Sequence, residues 1–358
     1  MAATADIAII GAGIAGCAAA LTLANSGLSV AMIAPPPDGR DRIGEFLSPA
    51  GNAILRDLGL AEAFAAGPHR EANATFASWG SELLAPRNAI VHVEGPGHVL
   101  DRPAFERMLR DAVECSVVAA TVDDAAFEDG RWSLRLSDGT SLTARFVLDC
   151  SGRAGVLGKR RRVDRLVAAY GFLHQYNDDV EPTPATLIEA VASGWWYASL
   201  LPDRRLSLAF FADPDTMPRR ISHDTGIWLG HIEQTRFIRQ WLESACYRVG
   251  APPVLTSAGT TWLDPPAGPR WAAAGDSAAA FDPLSSHGLT SALWSGRRAA
   301  LAAAADSAGD PEPLTLYAET VQGAVKDFLT QRRSVYAAEH RWREEPFWQR
   351  RIHSGRGA

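Results

Sequence analysis

Lysine is almost missing from this sequence, and excess basic charge and long apolar runs are missing as well. Only two of the 35 basic residues are lysines, Lys159 and Lys326, so chemistry that needs a lysine in the first part of the chain is excluded. The formal net charge of -6 provides no basic field for nucleic acid. No apolar run approaches the ~18 residues that a membrane span needs. The sequence therefore predicts neither a nucleic-acid partner nor a membrane.

Cysteine is also scarce, and its four positions lie far apart. Cys17, Cys115, Cys150 and Cys246 form no C-x-x-C pair and no Cys/His ligand spacing. This distribution predicts reduced, mostly buried thiols and no metal site. The amino end has neither a basic stretch nor a cleavage site, so we expect a cytoplasmic protein.

The length and composition indicate more than one ordinary domain. The chain has 358 residues, of which 47% are hydrophobic and 21% are charged, as in a globular protein. We expect one large α/β domain with a second domain inserted into it.

The first 34 residues carry the most informative pattern. Gly11, Gly13 and Gly16 stand in G-x-G-x-x-G spacing after the apolar run 7–10, and an Ala- and Leu-rich segment, 14–26, follows them. The order is strand, glycine turn and helix, which brings the backbone close to a pyrophosphate at the helix N-terminus. This context predicts a dinucleotide site.

One position departs from that pattern. A carboxylate usually ends the second strand, about 20 residues after the glycines, and binds the ribose. Ala34 stands there, three prolines follow, and Asp38 comes four residues later. Either other groups bind the ribose or the dinucleotide is retained weakly.

Loops after the glycine turn carry further candidate ligand-binding residues. Gly44 and Glu45 precede a predicted helix, 50–58, and Glu45 could contact a ligand or serve a helix dipole or a salt bridge. Arg42 is a candidate partner of the pyrophosphate or the ribose. Asp149 ends a predicted three-stranded meander, at a strand end where α/β sheets bind ligands.

The middle of the chain predicts a sheet outside the dinucleotide fold. Apolar runs separated by turn residues indicate the strands 167–175, 185–190, 194–201 and 205–212, and a helix over 225–243. Trp195 and Trp196 begin one of these strands, so period two sends them to opposite faces and only one can easily face a cavity. Trp79 is a further pocket candidate, with core packing or surface exposure as the alternative.

The last third predicts a return to the first domain. The basic cluster 159–162 is interpreted as a solvated link between domains, with anion binding as the alternative. The strand 271–274 ends at Gly275-Asp276, and a long helix begins near Gly288. The basic aromatic segment after about Arg341 could dock, pair with another chain or be disordered.

Five separated pieces of this pattern resemble the FAD-dependent monooxygenase and halogenase superfamily built on the p-hydroxybenzoate hydroxylase fold. They are the glycine turn 11–16, Gly44-Glu45 with Pro49, Asp101-Arg102, the segment 149–152, and Gly275-Asp276 with the loop 282–288. The resemblance implies a discontinuous Rossmann-type FAD-binding domain over 1–70, 98–162 and 264–305. It also implies an inserted α+β substrate domain with a mostly antiparallel sheet, over 71–97 and 163–263, and a C-terminal helical segment, 306–358.

By this resemblance, FAD is the cofactor and residues from all five pieces contact it. The implied cofactor-binding residues are Gly11, Gly13, Ile14, Ala15, Gly16, Arg42, Gly44, Glu45, Arg102, Asp149, Gly152, Gly275, Asp276, Pro283, Ser286, Gly288 and Leu289. The helix after Gly288 would direct its positive end at the flavin. His287 and Glu45 are the candidates for catalytic proton handling, and for each a structural or flavin-contact role is the alternative. Trp79, Trp195 and Trp196 are the substrate-pocket candidates.

Three stretches resemble a narrower group within the superfamily. GEFLSPAGNAILRDLGL, GWWYASLLPD and AFDPLSSHG are similar to the flavoproteins, often labelled tryptophan halogenases, that mature tryptophylquinone-dependent amine oxidases and dehydrogenases. This implies hydroxylation of an indole, a tryptophan or a phenol-like group through a flavin hydroperoxide, with O2 as co-substrate. The substrate would be an aromatic small molecule or a tryptophan in a partner protein or peptide. NAD(P)H or a separate flavin reductase would supply the electrons.

Three competing hypotheses stay open. Flavin halogenases use a lysine located between the Gly44-Glu45 type motif and the second domain, and no lysine precedes Lys159, so halogenation is disfavoured. Their Trp-x-Trp-x-Ile-Pro spacing is also missing, because Trp195 and Trp196 are adjacent. The second hypothesis is a double-bond reductase of the geranylgeranyl-reductase kind, and the third is a flavin-binding accessory protein without chemistry.

Overall fold

The computed structural model describes residues 3–72, 74–87 and 93–353, and only the backbone of Arg87 and His353. Residues 73 and 88–92 of the predicted substrate domain, and 354–358 of the predicted C-terminal segment, lie outside the described residues. The chain divides into two compact units. Unit 1 comprises Met1–Gly67, Arg102–Arg162 and Thr261–Asp327, and unit 2 comprises Pro68–Asp101, Val163–Thr260 and Phe328–Ala358.

Helices and strands both occur in each unit. The α-helices are α1 Ile14–Leu23, α2 Ala50–Asp57, α3 Ala61–Ala65, α4 Arg102–Asp111, α5 Thr225–Ile232, α6 Phe237–Ser244, α7 Gly288–Ser307, α8 Glu312–Ala338 and α9 Pro346–His353. The strands are β1 Ala3–Ile10, β2 Val30–Ile33, β3 Phe46–Leu47, β4 Arg70–Glu71, β5 Ala74–Ser78, β6 Ala85–Arg87, β7 His98–Val99, β8 Ser116–Val118, β9 Val122–Glu128, β10 Arg131–Leu136, β11 Ser141–Asp149, β12 Arg160–Arg162, β13 Val167–Gln175, β14 Ala185–Val191, β15 Gly194–Leu200, β16 Leu206–Ala212, β17 Tyr247–Arg248, β18 Val254–Ser257, β19 Thr261–Leu263, β20 Ala267–Gly268, β21 Trp271–Ala273 and β22 Ala279–Ala280. Within the described residues, no helix is both long enough and apolar enough to cross a membrane.

Unit 1 is built on a parallel sheet in the order β21-β11-β1-β2-β8. The run Ile7–Ile10 of β1 is buried, as expected for a central strand covered on both faces. β9 and β10 add an antiparallel extension to β11, so the predicted meander is present. The predicted Rossmann-type sheet is confirmed.

Two helices of unit 1 pack closely because small residues separate them. A Cβ on Gly296 of α7 would collide with the backbone carbonyl of Ala15 in α1. The same turn of α1 faces Gly275, where a Cβ would lie 2.9 Å from the Cβ of Ala15. The contact places α1 and α7 side by side at the carboxyl ends of β1 and β21.

Unit 2 is built on a mostly antiparallel sheet in the order β17-β13-β16-β15-β14-β5-β6, in which β18 also pairs with β13. Only β14 and β5 run parallel among the strand pairs described for this sheet. β13 has the predicted bounds, and β14, β15 and β16 differ from them by one residue at one end. One face of the sheet packs against α5 and α6, with Trp196 and Trp228 at the centre. The predicted second sheet is confirmed.

The single helix predicted over 225–243 is wrong, because the structure forms α5 and α6 with a break at Glu233–Arg236. The buried carboxylate of Glu189 accepts hydrogen bonds from the backbone N–H groups of Arg236, Phe237 and Ile238, at 2.6, 2.9 and 2.9 Å. It therefore caps the first turn of α6 from β14. A capping group 47 positions away leaves no local signal.

The segment predicted as C-terminal and helical over 306–358 contains α8 and α9, and its residues are divided between the two units. Residues up to Asp327 group with unit 1, and those from Phe328 onward group with unit 2. In α9, Phe347, Trp348 and Arg351 are buried, and Arg351 forms two hydrogen bonds with Asp213, at 2.7 and 3.0 Å. Helix α9 is therefore part of the core of unit 2 rather than a disordered or free docking tail.

Candidate functional site

The glycine turn of unit 1 contains one glycine that faces open space and two that the turn requires. Gly11 has a φ of 103°, and a Cβ there would collide with the backbone carbonyl of Cys150. A Cβ on Gly16 would collide with the carbonyl of Gly11. Gly13 is exposed, and a Cβ there would meet nothing within 4 Å. Gly11 and Gly16 therefore hold the turn tight, and Gly13 leaves room for a ligand.

The N-terminus of α1 lies at this open position. Gly13 is the N-cap, no described side chain accepts from the first turn, and the turn carries no acidic residue. The side chains of Ile14 and Ala15 are buried, so only their backbone N–H groups could meet a ligand. Such an end favours an anion, since the N–H groups and the helix dipole point toward it.

Arg102 organises the loop around Gly44 and is not available as a free cation. Its guanidinium donates to the carbonyl of Gly44 at 2.5 Å and to that of Ile43 at 3.3 Å, and it pairs with Glu106 at 2.6 Å. Burial is the largest influence and acts to raise the pKa of Glu106, but the charge and hydrogen bond of Arg102, together with the charges of Arg42 and Arg110, lower the pKa overall. Arg102 is best described as a positioning residue for this loop.

Glu45 follows in the same loop and is buried, with a relative exposure of 2%. Its carboxylate accepts a hydrogen bond from the N–H of Gly44 at 3.2 Å. Three residues further on, the hydroxyl of Ser48 lies 2.8 Å from that of Thr290 in the first turn of α7. The loop that carries Glu45 is thus fixed to the start of α7.

Arg42 and the end of β2 lie at the surface of unit 1. Arg42 pairs with Asp38 at 3.1 Å, and its side chain is 57% exposed. Ala34 is buried at the end of β2, where its N–H donates to the carbonyl of Val118. The sequence has no carboxylate between the end of β2 and Asp38, so the Asp38–Arg42 pair is the nearest charged group along the chain.

Asp149 shapes its own loop through four hydrogen bonds, and its contact with the cofactor stays a prediction. One carboxylate oxygen accepts from the N–H and the hydroxyl of Ser151, at 3.0 and 2.6 Å. The other accepts from the N–H groups of Val156 and Leu157, at 2.9 and 2.8 Å. Asp149 is fully buried, and these four bonds use both of its oxygens to shape the loop that contains Gly152.

Arg160 is a site residue that no sequence motif indicated. Its guanidinium donates to the carbonyls of Gly152, Asp276 and Ser277, at 2.9, 3.0 and 3.1 Å. It also donates to the hydroxyl of Thr261. Arg160 therefore joins the loop after β11 to the turn after β21, and it is not part of a solvated link. The run of four basic residues concealed this role, because no local pattern separates one arginine from its neighbours.

The turn after β21 is fixed from two sides. The N–H of Gly275, whose φ is 64°, donates to the hydroxyl of Ser295 in α7 at 2.8 Å. Asp276 pairs with Arg153 at 3.3 Å, and its side chain is 40% exposed. A paired carboxylate repels a nearby anion less than an unpaired one does.

The loop before α7 leaves the second helix N-terminus open. Buried Asp282 accepts from the N–H of Leu284, which shapes the turn Pro283–Ser285, and Ser286 adopts a left-handed φ of 55°. Ser286, His287 and Gly288 are exposed, while the side chain of Leu289 is buried. No described side chain caps α7, and its first turn carries no acid.

These features fit FAD. The molecule has an anionic pyrophosphate and, when reduced, a negative charge on its pyrimidine ring. The N-termini of α1 and α7 in unit 1 are uncapped, and a Cβ on either of the glycines at their starts, Gly13 and Gly288, would meet no described atom within 4 Å. Among the described residues, no group of three or more His, Cys, Asp or Glu side chains could hold a metal.

The predicted pocket tryptophans lie in unit 2, and two of them are core residues. Trp195 and Trp196 are 1% and 0% exposed on opposite faces of β15. Trp195 stacks on Phe211 with ring centroids 4.0 Å apart, and Trp196 packs against Trp228 at 4.8 Å. The partly buried Trp79 donates from its indole to the carbonyl of Val335. The contacts of Trp195 and Trp196 support a packing role, and the pocket role of Trp79 stays a prediction.

Comparisons with known proteins agree with the cofactor fold. Residues 6–53 match the family described as glucose inhibited division protein A. The putative FAD-dependent oxidoreductase LodB of Marinomonas mediterranea is 25% identical over 363 residues, which cover 97% of this chain and 96% of LodB.

Two solved structures are similar along nearly the whole chain. The flavin-dependent halogenase CmlS has a TM-score of 0.86 and 23% identity, covering 97% of this chain and 67% of CmlS. The peptidyl tryptophan dihydroxylase QhpG, essential for tryptophylquinone cofactor biogenesis, has a TM-score of 0.77 and 25% identity, covering 98% of this chain and 79% of QhpG. The predicted resemblance to the FAD-dependent monooxygenase and halogenase superfamily is confirmed, as is the prediction of an FAD-dependent enzyme.

Proposed function

We propose that this FAD-dependent oxidoreductase is a monooxygenase that hydroxylates an aromatic group of the indole or phenol type. The substrate is an aromatic small molecule or a tryptophan in a partner protein or peptide. QhpG, which is named a peptidyl tryptophan dihydroxylase, supports this choice by its similarity over 98% of the chain. CmlS, a flavin-dependent halogenase, makes halogenation the second candidate.

The observation that carries the choice is the position of the two lysines. Both Lys159 and Lys326 are exposed in unit 1, and no lysine precedes Lys159 in the sequence. A lysine that captures hypohalous acid must be shielded from water, since the reagent would otherwise be lost to bulk solvent. Neither lysine meets that requirement.

Residues of unit 1 would hold the cofactor by their backbone more than by their charges. The N–H groups that follow Gly13 are suited to bind the pyrophosphate, and those that follow His287 are suited to the pyrimidine edge. Bound FAD supplies the redox and oxygen chemistry, with O2 as co-substrate. NAD(P)H or a separate flavin reductase supplies the electrons in this proposal.

Two side chains are the candidates for moving protons. His287 is exposed at the N-terminus of α7, and Glu45 is buried in the loop fixed to that helix by Ser48 and Thr290. A buried carboxyl group and an exposed imidazole differ in their access to water, so they suit internal proton transfer and exchange with solvent, respectively.

The test is a product analysis with both outcomes available. The protein is loaded with FAD, reduced without oxygen, and mixed with 18O2, bromide and a tryptophan-containing peptide or indole. We expect one 18O atom in the product and no bromine. A brominated product would replace the proposal with the halogenase. Release of peroxide alone with every aromatic probe would contradict both the hydroxylase and the halogenase. Reduction of a double bond in the probe, with no 18O in the product, would indicate the double-bond reductase.

A further inference from the structure

The sheet of unit 2 has a second face, opposite α5 and α6, whose side chains form rows across the strands. Strand pairing places Tyr170, Ala209 and Tyr197 in one row, on β13, β16 and β15. The neighbouring row contains Phe172, Ser207, Ser199 and Thr186 in the same order, extended to β14. On the other side of the tyrosine row, Trp195 of β15 pairs with Phe211 of β16 in a third row.

The third row is closed by the C-terminal part of unit 2. The indole of Trp195 donates to the hydroxyl of Tyr336 at 3.1 Å, and Trp79 packs edge-on against both rings, at 6.5 and 5.8 Å. Trp348 of α9 lies 5.2 Å from Trp79. This end of the face is therefore a packed core, and the other two rows require a separate explanation.

The first of these rows has a small residue between two aromatic ones. Ala209 lies between Tyr170 and Tyr197, and neighbouring strands lie about 4.8 Å apart, so the two tyrosine backbones are roughly 9.6 Å apart. A ring stacked between two others lies about 4.5 Å or more from each, or about 9 Å in all, so Tyr170 and Tyr197 can open a gap for one aromatic ring over Ala209 when their side chains stand apart. Because Ala209 is itself buried, a ring reaches it only when side chains move, and Tyr170 and Tyr197 are the partly exposed residues that flank it.

The second row is polar although it is buried. Ser199 and Ser207 are both 0% exposed, and the hydroxyl of Ser199 lies 3.0 Å from that of Thr186. Within the part of the chain that the structure describes, the Ser207 hydroxyl has no hydrogen-bond partner. Burying an unpaired hydroxyl costs free energy, so such a group needs a reason. It lies one row from the gap between the tyrosines.

The charges nearby are already engaged. The guanidinium of Arg205 lies 5.2 Å from the ring of Phe172, and it also pairs with Asp203 at 2.6 Å. Arg70 donates to the carbonyl of Leu200 at 2.7 Å. A ligand at this face therefore meets aromatic rings and a hydroxyl rather than an open charge, which suits a neutral aromatic group with one polar hydrogen.

We propose that this face binds the aromatic ring of the substrate, with Tyr170 and Tyr197 on either side of it at Ala209 and the Ser207 hydroxyl accepting a hydrogen bond from its N–H or O–H. The inference rests on the proposed function for the class of substrate. It also assigns specificity to a serine that no motif marks. The preferred ligand is an indole or phenol group, and a ring without a polar hydrogen binds more weakly.

The experiment compares two probes of nearly the same shape, indole and N-methylindole, by calorimetric titration of the FAD-loaded full chain. One neutral hydrogen bond corresponds to roughly a fivefold difference in affinity. We expect the wild type to bind indole about fivefold more tightly, and Ser207→Ala to bind both probes equally. The matched control is Ser199→Ala, which removes a hydroxyl from the same row that is already paired, and we expect it to keep the preference.

A second variant tests the gap without the hydrogen bond. Ala209→Leu fills the space between the tyrosines, so both probes should lose measurable binding while FAD affinity and the thermal transition show that the protein is folded. If wild type binds neither probe up to its solubility limit, or if Ser207→Ala keeps the preference, the inference is overturned. None of these titrations involves turnover, so a protein that binds indole here and never oxygenates it would refute the proposed function alone.

Discussion

Replacing either of two glycines of the same turn by alanine should have different effects, one on cofactor binding and the other on folding. Gly13 has φ −78° and ψ −171°, which alanine adopts easily, and its Cβ would meet no described atom within 4 Å. Gly11 has a φ of 103°, and its Cβ would collide with the carbonyl of Cys150. Gly13→Ala should therefore impair binding and leave folding intact, whereas Gly11→Ala should impair folding.

The magnitudes follow from this geometry. At Gly13 the lower entropy of the unfolded chain stabilises by about 0.4–1 kcal/mol, and the poorer N-cap costs a similar amount, so the net change lies within about 1 kcal/mol of zero. Loss of one charge-assisted hydrogen bond to the pyrophosphate costs about 1.5–3 kcal/mol, or roughly 10- to 150-fold in Kd. At Gly11 the strained backbone alone costs about 1–3 kcal/mol.

The assay has two parts, each on flavin-free protein. Urea unfolding gives the free energy of unfolding of each variant, and quenching of flavin fluorescence during titration gives the Kd for FAD. Gly27→Ala is the control for a glycine outside the turn, where the φ of 72° strains alanine without touching the site. If Gly13→Ala binds FAD as tightly as wild type, the pyrophosphate does not lie at the N-terminus of α1.

The remaining predictions concern unit 2. Arg351→Met should lower the free energy of unfolding by about 1.5–3 kcal/mol, because the buried Asp213 loses the two hydrogen bonds from Arg351 and keeps only the one from Arg350, at 3.0 Å. Arg350→Met removes the more exposed partner and should cost under about 1 kcal/mol; urea midpoints distinguish the two variants. Burial lowers the pKa of His69 from 6.5 to about 4, despite the opposing charge of Asp101. The unfolded chain then binds the proton more tightly, so stability should fall as the pH drops from about 6.5 to about 4, and His69→Gln should flatten that part of the profile. Glu189→Ala should cost about 1–2 kcal/mol and speed hydrogen exchange in the first turn of α6, and unchanged exchange there would contradict its capping role.

The strands of unit 2 could be predicted because their signals are local. Apolar runs of seven to nine residues lie between turns, and the pattern places β13 to β16 within one residue. The break between α5 and α6 could not be predicted in this way. It depends on Glu189, a residue of another strand whose carboxylate reaches the first turn of α6.

The glycines of the candidate site could be predicted from the sequence, but the roles of its charged residues could not. Gly11, Gly13 and Gly16 stand in a spacing that, between a strand and a helix, is typical of a dinucleotide-binding turn. Asp149 occupies a position where ligands bind, yet its carboxylate serves its own loop through Val156 and Leu157, and no spacing reports that choice. The role of Arg160 depends on carbonyls that lie more than 100 positions away in the sequence.

The pairing of Arg351 with Asp213 has a consequence for how the protein is made. The two residues are separated by 138 positions, and Trp348 and Phe347 fill the core beside them. A ribosome adds roughly 5–20 residues per second, so roughly 7–28 s pass between the synthesis of Asp213 and that of Arg351. Over that interval the nascent sheet carries an uncovered apolar face and an unpaired carboxylate. Chaperones that bind such faces should therefore act on this chain before α9 leaves the exit tunnel.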